Sequence, residues 1–198
     1  MPIITSKEGL YNRAVSRLKL FCEINKKLKT PQVRLVAKQN WNWDACAYYR
    51  PTEGIVGCIA LMAKTATEPI VRNWNWPGNT TDRTPYGVIA HELGHHADWS
   101  SSITRGGYTG NFSAEMRLAS GEKPISSYCP NDGEWFAEMF RLFITNAALL
   151  KILRPRTYDL LVKRWRKVGG DDWEKELGGN CPARIVENLR NKIRKESI

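Results

Sequence analysis

Residues 91–95 read His91-Glu92-Leu93-Gly94-His95, two imidazoles and a carboxylate within five positions. On an α-helix four residues advance by about 6 Å and rather more than one turn, so His91 and His95 leave the same face and can chelate one ion. Glu92 projects at a different angle. It reaches the space beside such an ion without taking a ligand position, where it can accept a proton from an attacking water. The chain contains three histidines in all, and the third, His96, adjoins the motif. Unless His96 turns inward, a carboxylate must complete the site.

Carboxylates of the right kind are present. Asp98 follows His95 by three residues and can accept a hydrogen bond from a ligand imidazole. Glu134 and Glu138 stand four residues apart in a segment rich in Trp135, Phe136, Met139 and Phe140. Carboxylates do not enter an apolar face without partners, and a metal ion or a ligand histidine would satisfy them. Gly94 costs about 1 kcal/mol relative to alanine in a helix interior. Close approach of another element is one reason to keep it.

His-Glu-Leu-Gly-His-His-Ala-Asp, followed some forty residues later by Glu-Trp-Phe-Ala-Glu-Met-Phe-Arg-Leu, resembles the zincin metallopeptidases of the glutamate-ligand type, and in particular the catalytic domain of lethal-factor-type toxin peptidases. The resemblance covers about residues 84–150 and is concentrated in the two motifs. It implies one zinc ion held by His91, His95 and Glu134, with Glu92 as general base and Tyr128 as hydroxyl donor to the oxyanion. Tyr108 and Tyr86 are the substitutes for Tyr128, and Glu138 would support a ligand histidine. The implied activity is hydrolysis of peptide bonds in a protein or peptide substrate, by an endopeptidase rather than an exopeptidase. The implied fold class is α+β and zincin-like, a small twisted sheet packed on the helix that carries the motif, followed by a mainly helical C-terminal part.

The elements that must position these residues are legible in outline. Apolar positions spaced by three, four or seven (Leu10, Ala14, Leu18, Phe21, Leu28) predict an amphipathic helix over 8–29, ended by Pro31. Residues 32–38 and 54–63 suit strands. Thr84-Pro85 opens the motif helix with a hydroxyl cap and a proline in the first turn. Residues 100–131 read as a long loop with a short helix near 113–119. Asn131-Asp132-Gly133 caps a helix over 134–153 that stops before Pro155. A basic helix over 156–167, a turn at Gly169-Gly170 and an amphipathic helix over 182–195 complete the chain. Asn40-Trp41-Asn42-Trp43 recurs as Asn73-Trp74-Asn75-Trp76 and suits packing at a core or an edge.

At 198 residues the chain reads as a single domain, with 1–83 as an N-terminal helix and sheet, 84–155 as the two ligand helices and their connection, and 156–198 as a basic helical part. Five cysteines, odd in number and never in a C-x-x-C pair, predict buried free thiols. No apolar run approaches the roughly 20 residues that span a bilayer, and no leader-like segment opens the sequence. The expectation is a cytoplasmic monomer, in a host cytoplasm if the chain is viral or an effector. Of the net charge of +10, residues 1–40 carry +7, residues 41–150 carry −3 and residues 151–198 carry +6. Two basic flanks around a mildly acidic centre suit a polyanion, so DNA or RNA is a candidate partner through the flanks. A protein that keeps the helix pair for packing and catalyses nothing is the remaining alternative.

Overall fold

The structure is a computed structural model that describes residues 7–35, 47–50, 55–58, 85–103, 112–125, 129–177 and 183–196. Its helices are α1 (Lys7–Ile24), α2 (Pro85–Ile103), α3 (Phe112–Ser120), α4 (Asp132–Leu153), α5 (Pro155–Arg164), α6 (Trp173–Leu177) and α7 (Ala183–Glu196). Three four-residue strands, β1 (Gln32–Leu35), β2 (Ala47–Arg50) and β3 (Ile55–Cys58), pair in the order β1-β3-β2. β1 runs parallel to β3, and β2 runs antiparallel to it.

The chain is therefore mainly helical, and the expected α+β, zincin-like class built on a sheet is overturned. The physical reason lies in α4. From Trp135 to Leu150 every residue is buried, so this helix is the centre of the core instead of one face of a layer, as expected of a helix apolar on all sides. Of the strands expected over 32–38 and 54–63, Gln32–Leu35 and Ile55–Cys58 pair, and the rest of each run lies outside the described residues. The tryptophan repeats at 41–43 and 74–76 lie outside the described residues.

Around α4 the aromatic rings interlock. Phe21 from α1 meets Phe140 and Phe143 edge-on, and Phe112 from α3 meets Phe136 and Trp165 in the same way, an arrangement favoured by the ring quadrupoles. Cys22 is a buried free thiol whose pKa is pushed up to about 11 by burial; Cys129 is also free and only half-buried. Among the described residues no helix is long and apolar enough to cross a membrane.

α4 was expected to run unbroken, but it is interrupted at Asn146, whose backbone is extended (φ −159, ψ 77). Its Oδ1 accepts from the Leu149 amide at 3.1 Å, the geometry of a cap three residues ahead, and its Nδ2 donates to the Trp173 carbonyl at 2.8 Å. One side chain thus restarts the helix and anchors α6. Asn146→Ala is expected to cost about 1–3 kcal/mol, since a buried amide and a half-buried carbonyl lose their partner together; urea unfolding measures it, and an unchanged midpoint would contradict the role.

A candidate metal centre between α2 and α4

Two helices build the site. α2 begins at Pro85 and carries the motif over its second and third turns. α4 begins with Asn131 as N-cap, whose side chain accepts from the Glu134 amide at 2.9 Å. Glu134 therefore sits in the first turn of α4, where a carboxylate is favoured by the helix dipole. In a capping box a glutamate at this position would reach back to the cap residue's own amide; here its carboxylate faces the histidines of α2 instead.

The two helices can come this close because of Gly94. A Cβ at this position would stand 2.6 Å from Ala137 Cα and 3.0 Å from the Ala137 carbonyl oxygen. The missing side chain is the contact surface, and it brings the His91–His95 edge of α2 onto the Glu134–Glu138 edge of α4.

At that crossing three donor groups converge. His91 Nε2 lies 3.0 Å from Glu134 Oε2 and 3.1 Å from His95 Nε2, and His95 Nε2 lies 3.5 Å from Glu134 Oε1. An ion with tetrahedral geometry and bonds near 2.0–2.1 Å holds its donors about 3.3 Å apart. The observed spacing matches. Glu134 Oε2 is buried and faces His91 Nε2 at 3.0 Å, an arrangement that costs free energy unless a cation or a proton lies between the two. His91, His95 and Glu134 thus form a candidate metal site.

The other nitrogen of His91 is committed. Nδ1 stands 2.8 Å from Glu138 Oε1, and Glu138 in turn accepts from Arg141 Nε at 2.9 Å and Nη2 at 2.8 Å. The side chains of Glu138 and Arg141 are both 0% exposed. Because Glu138 accepts a proton from Nδ1, Nε2 is the nitrogen turned toward His95 and Glu134, the one that binds a metal once it has given up its own proton. Burial works against the charge on Glu138, but Arg141 and His91 hold its carboxyl well below the usual range. Glu134 is lowered in the same sense, with burial opposing and the two imidazoles prevailing.

Glu92 is buried, and burial raises its pKa against the lowering fields of His91 and His95. A carboxyl group tuned upward beside two imidazoles is suited to exchange a proton near neutral pH.

The remaining residues singled out in the sequence are placed as follows. His96 turns away: its Nε2 lies 2.7 Å from the Lys29 carbonyl oxygen and joins α2 to the chain beyond α1. Asp98 accepts from the Ser113 amide at 3.0 Å, so it holds the start of α3; the acceptor for a ligand imidazole is Glu138. Tyr128 and Tyr108 lie outside the described residues, as does the side chain of Tyr86. Arg141 was not anticipated. Its signal was present as a cation three residues after Glu138 in an otherwise apolar run.

No family model, no curated protein and no solved structure matches the chain.

The charges of the site make one prediction. Burial alone would lower the pKa of His91, but hydrogen bonds to Glu134 and Glu138 overcome it and push the value from 6.5 up to about 10. Without metal His91 is therefore protonated at neutral pH, and its contribution to stability is complete below pH 6.5 and lost as pH rises toward about 10. A metal ion at Nε2 must displace that proton. Zinc binding at neutral pH is expected to release about one proton per ion, read by titration calorimetry in two buffers of different ionisation enthalpy; an identical heat in both would exclude it.

Proposed function

We propose that the protein is a zinc-dependent peptidase of the glutamate-ligand type, with His91, His95 and Glu134 as the metal ligands and Glu92 as the general base. The observation that carries this reading is the convergence of two imidazoles and a half-buried carboxylate at tetrahedral donor spacing, with a second, buried carboxylate beside them. Zinc, when bound, supplies a Lewis acid for a peptide carbonyl and brings the pKa of a water toward roughly 7.

Every other part of the chemistry falls to the chain. Glu92 takes the proton of the attacking water and returns it to the leaving amine, which its burial favours by making the protonated form accessible. Glu138 fixes the tautomer and orientation of His91, and Arg141 fixes Glu138. Tyr128 is the proposed hydroxyl donor to the developing oxyanion, a type of contact worth several kcal/mol. The substrate is a protein or peptide.

Metal analysis of the purified chain, paired with peptide hydrolysis, tests the assignment. One zinc per chain is expected, and Glu134→Ala is expected to lose both zinc and activity. Tight stoichiometric zinc in that variant would refute Glu134 as a ligand, and a zinc-loaded wild type without hydrolysis would leave a metal-binding protein that is not a peptidase.

A further inference from the structure

The two basic flanks are distant in sequence and adjacent in space. Lys26 and Lys27, after the end of α1, and Lys163, Arg164 and Arg166, at the end of α5, line one open groove of about 1090 Å³. Asn25 joins its walls: its Oδ1 accepts from the Arg166 amide at 2.7 Å, and its Nδ2 donates to the Arg166 carbonyl at 3.0 Å. The fold therefore holds the two cationic edges at a fixed separation.

Among the described residues no carboxylate lines this groove. Some cations elsewhere are paired, as Arg117 is with Asp132, Arg190 with Glu174 and Glu187, and Lys167 with Asp171. Among the described residues Lys26, Lys27, Lys163 and Arg166 are exposed and make no ion pair. Clustering like charges costs self-repulsion, which an anionic occupant removes. Arg164 packs over the rings of Phe112 and Trp165 at 4.8 and 5.3 Å, so its guanidinium is held in place.

We propose that this groove binds the phosphodiester backbone of a single-stranded nucleic acid. A recess of this volume has a linear dimension of about 10 Å, too small for a duplex and suited to one strand tracking a row of cations. The regular single charge per nucleotide matches several cations at once, whereas a peptide would need consecutive acidic residues. Trp165 is only 6% exposed and belongs to the aromatic core, so it offers no platform for bases. Binding is independent of base sequence. It is also independent of the metal centre, since none of the groove residues belongs to it.

The test is fluorescence anisotropy with labelled oligo-dT and oligo-rU at several salt concentrations. Four to five phosphate contacts predict a log–log salt slope of about −3 for a single strand. Lys26→Gln, Lys27→Gln, Lys163→Gln and Arg166→Gln together are expected to weaken binding about tenfold or more at low salt and to flatten that slope by about 2–3. The same charge change at Lys123, Lys175, Arg194 and Lys195 is expected to leave most of the affinity, and Glu134→Ala to leave all of it, with circular dichroism confirming the fold of each variant. Equal weakening by both quadruple variants, no binding by the wild type at low salt, or groove-dependent binding of poly-glutamate without binding of oligo-dT would each overturn the proposal.

Discussion

Glu92→Gln is expected to bind zinc as tightly as the wild type and to hydrolyse peptides about 10²–10⁴-fold more slowly, the usual contribution of a positioned general base. The substitution keeps the size of the side chain and removes its capacity to take a proton. Because Glu92 is buried and its proton affinity is raised by that burial, a neutral amide there is tolerated. Stability should change little or rise slightly, since an isolated buried carboxylate is costly. Metal content and a progress curve on the same sample decide the matter. An active, zinc-loaded Glu92→Gln protein would falsify the role of Glu92, and loss of zinc in this variant would make Glu92 a ligand.

The second large effect concerns the pair behind His91. Arg141→Met should lower stability by about 3–5 kcal/mol, because Glu138 would keep a buried charge without its guanidinium. That is a large share of the 5–15 kcal/mol that holds a typical domain. Removing the charge as well, in Arg141→Met with Glu138→Leu, is expected to recover most of the loss, since apolar residues of similar volume often replace a buried pair at little cost. The double variant should fold and yet bind zinc about 10–100-fold more weakly, having lost the group that orients His91. Urea unfolding and competition with a chelator separate the two effects. A double variant as unstable as the single one would show that the pair contributes shape instead of charge balance.

These two results bear on how much the sequence discloses. The motif helix was legible because a five-residue spacing and a Thr-Pro start are local, and α4 because an Asn-Asp-Gly cap precedes twenty residues of helical apolar spacing. The division of labour between Glu134 and Glu138 was not settled by spacing, since both occupy one edge of α4; it depends on the height at which α2 crosses, which Gly94 and Ala137 determine. Asp98 is near a ligand imidazole in sequence, but the amide of Ser113, fifteen residues on, claims it. Asn146 falls inside the run expected to be one helix, and the Trp173 carbonyl it binds is too distant in sequence to announce the break. The strand Ala47–Arg50 and the helix Trp173–Leu177 are too short for any period to register. The α+β expectation, implied by the resemblance, failed because the fold is decided by a central helix that needs cover on every side.

The clasp of Asn25 on Arg166, and the ion pair of Arg17 with Glu176, set a timetable for synthesis. Their partners lie 141 and 159 residues further along the chain, so α1 leaves the ribosome long before these two clasps can close. At about 5–20 residues per second that interval is about 7–30 s. Through it the apolar stripe of α1, including Leu18 and Phe21, has no finished core to enter. α1 is thus made well before the residues that clasp it and is locked late, and until then the nascent chain presents this helix to chaperones and proteases.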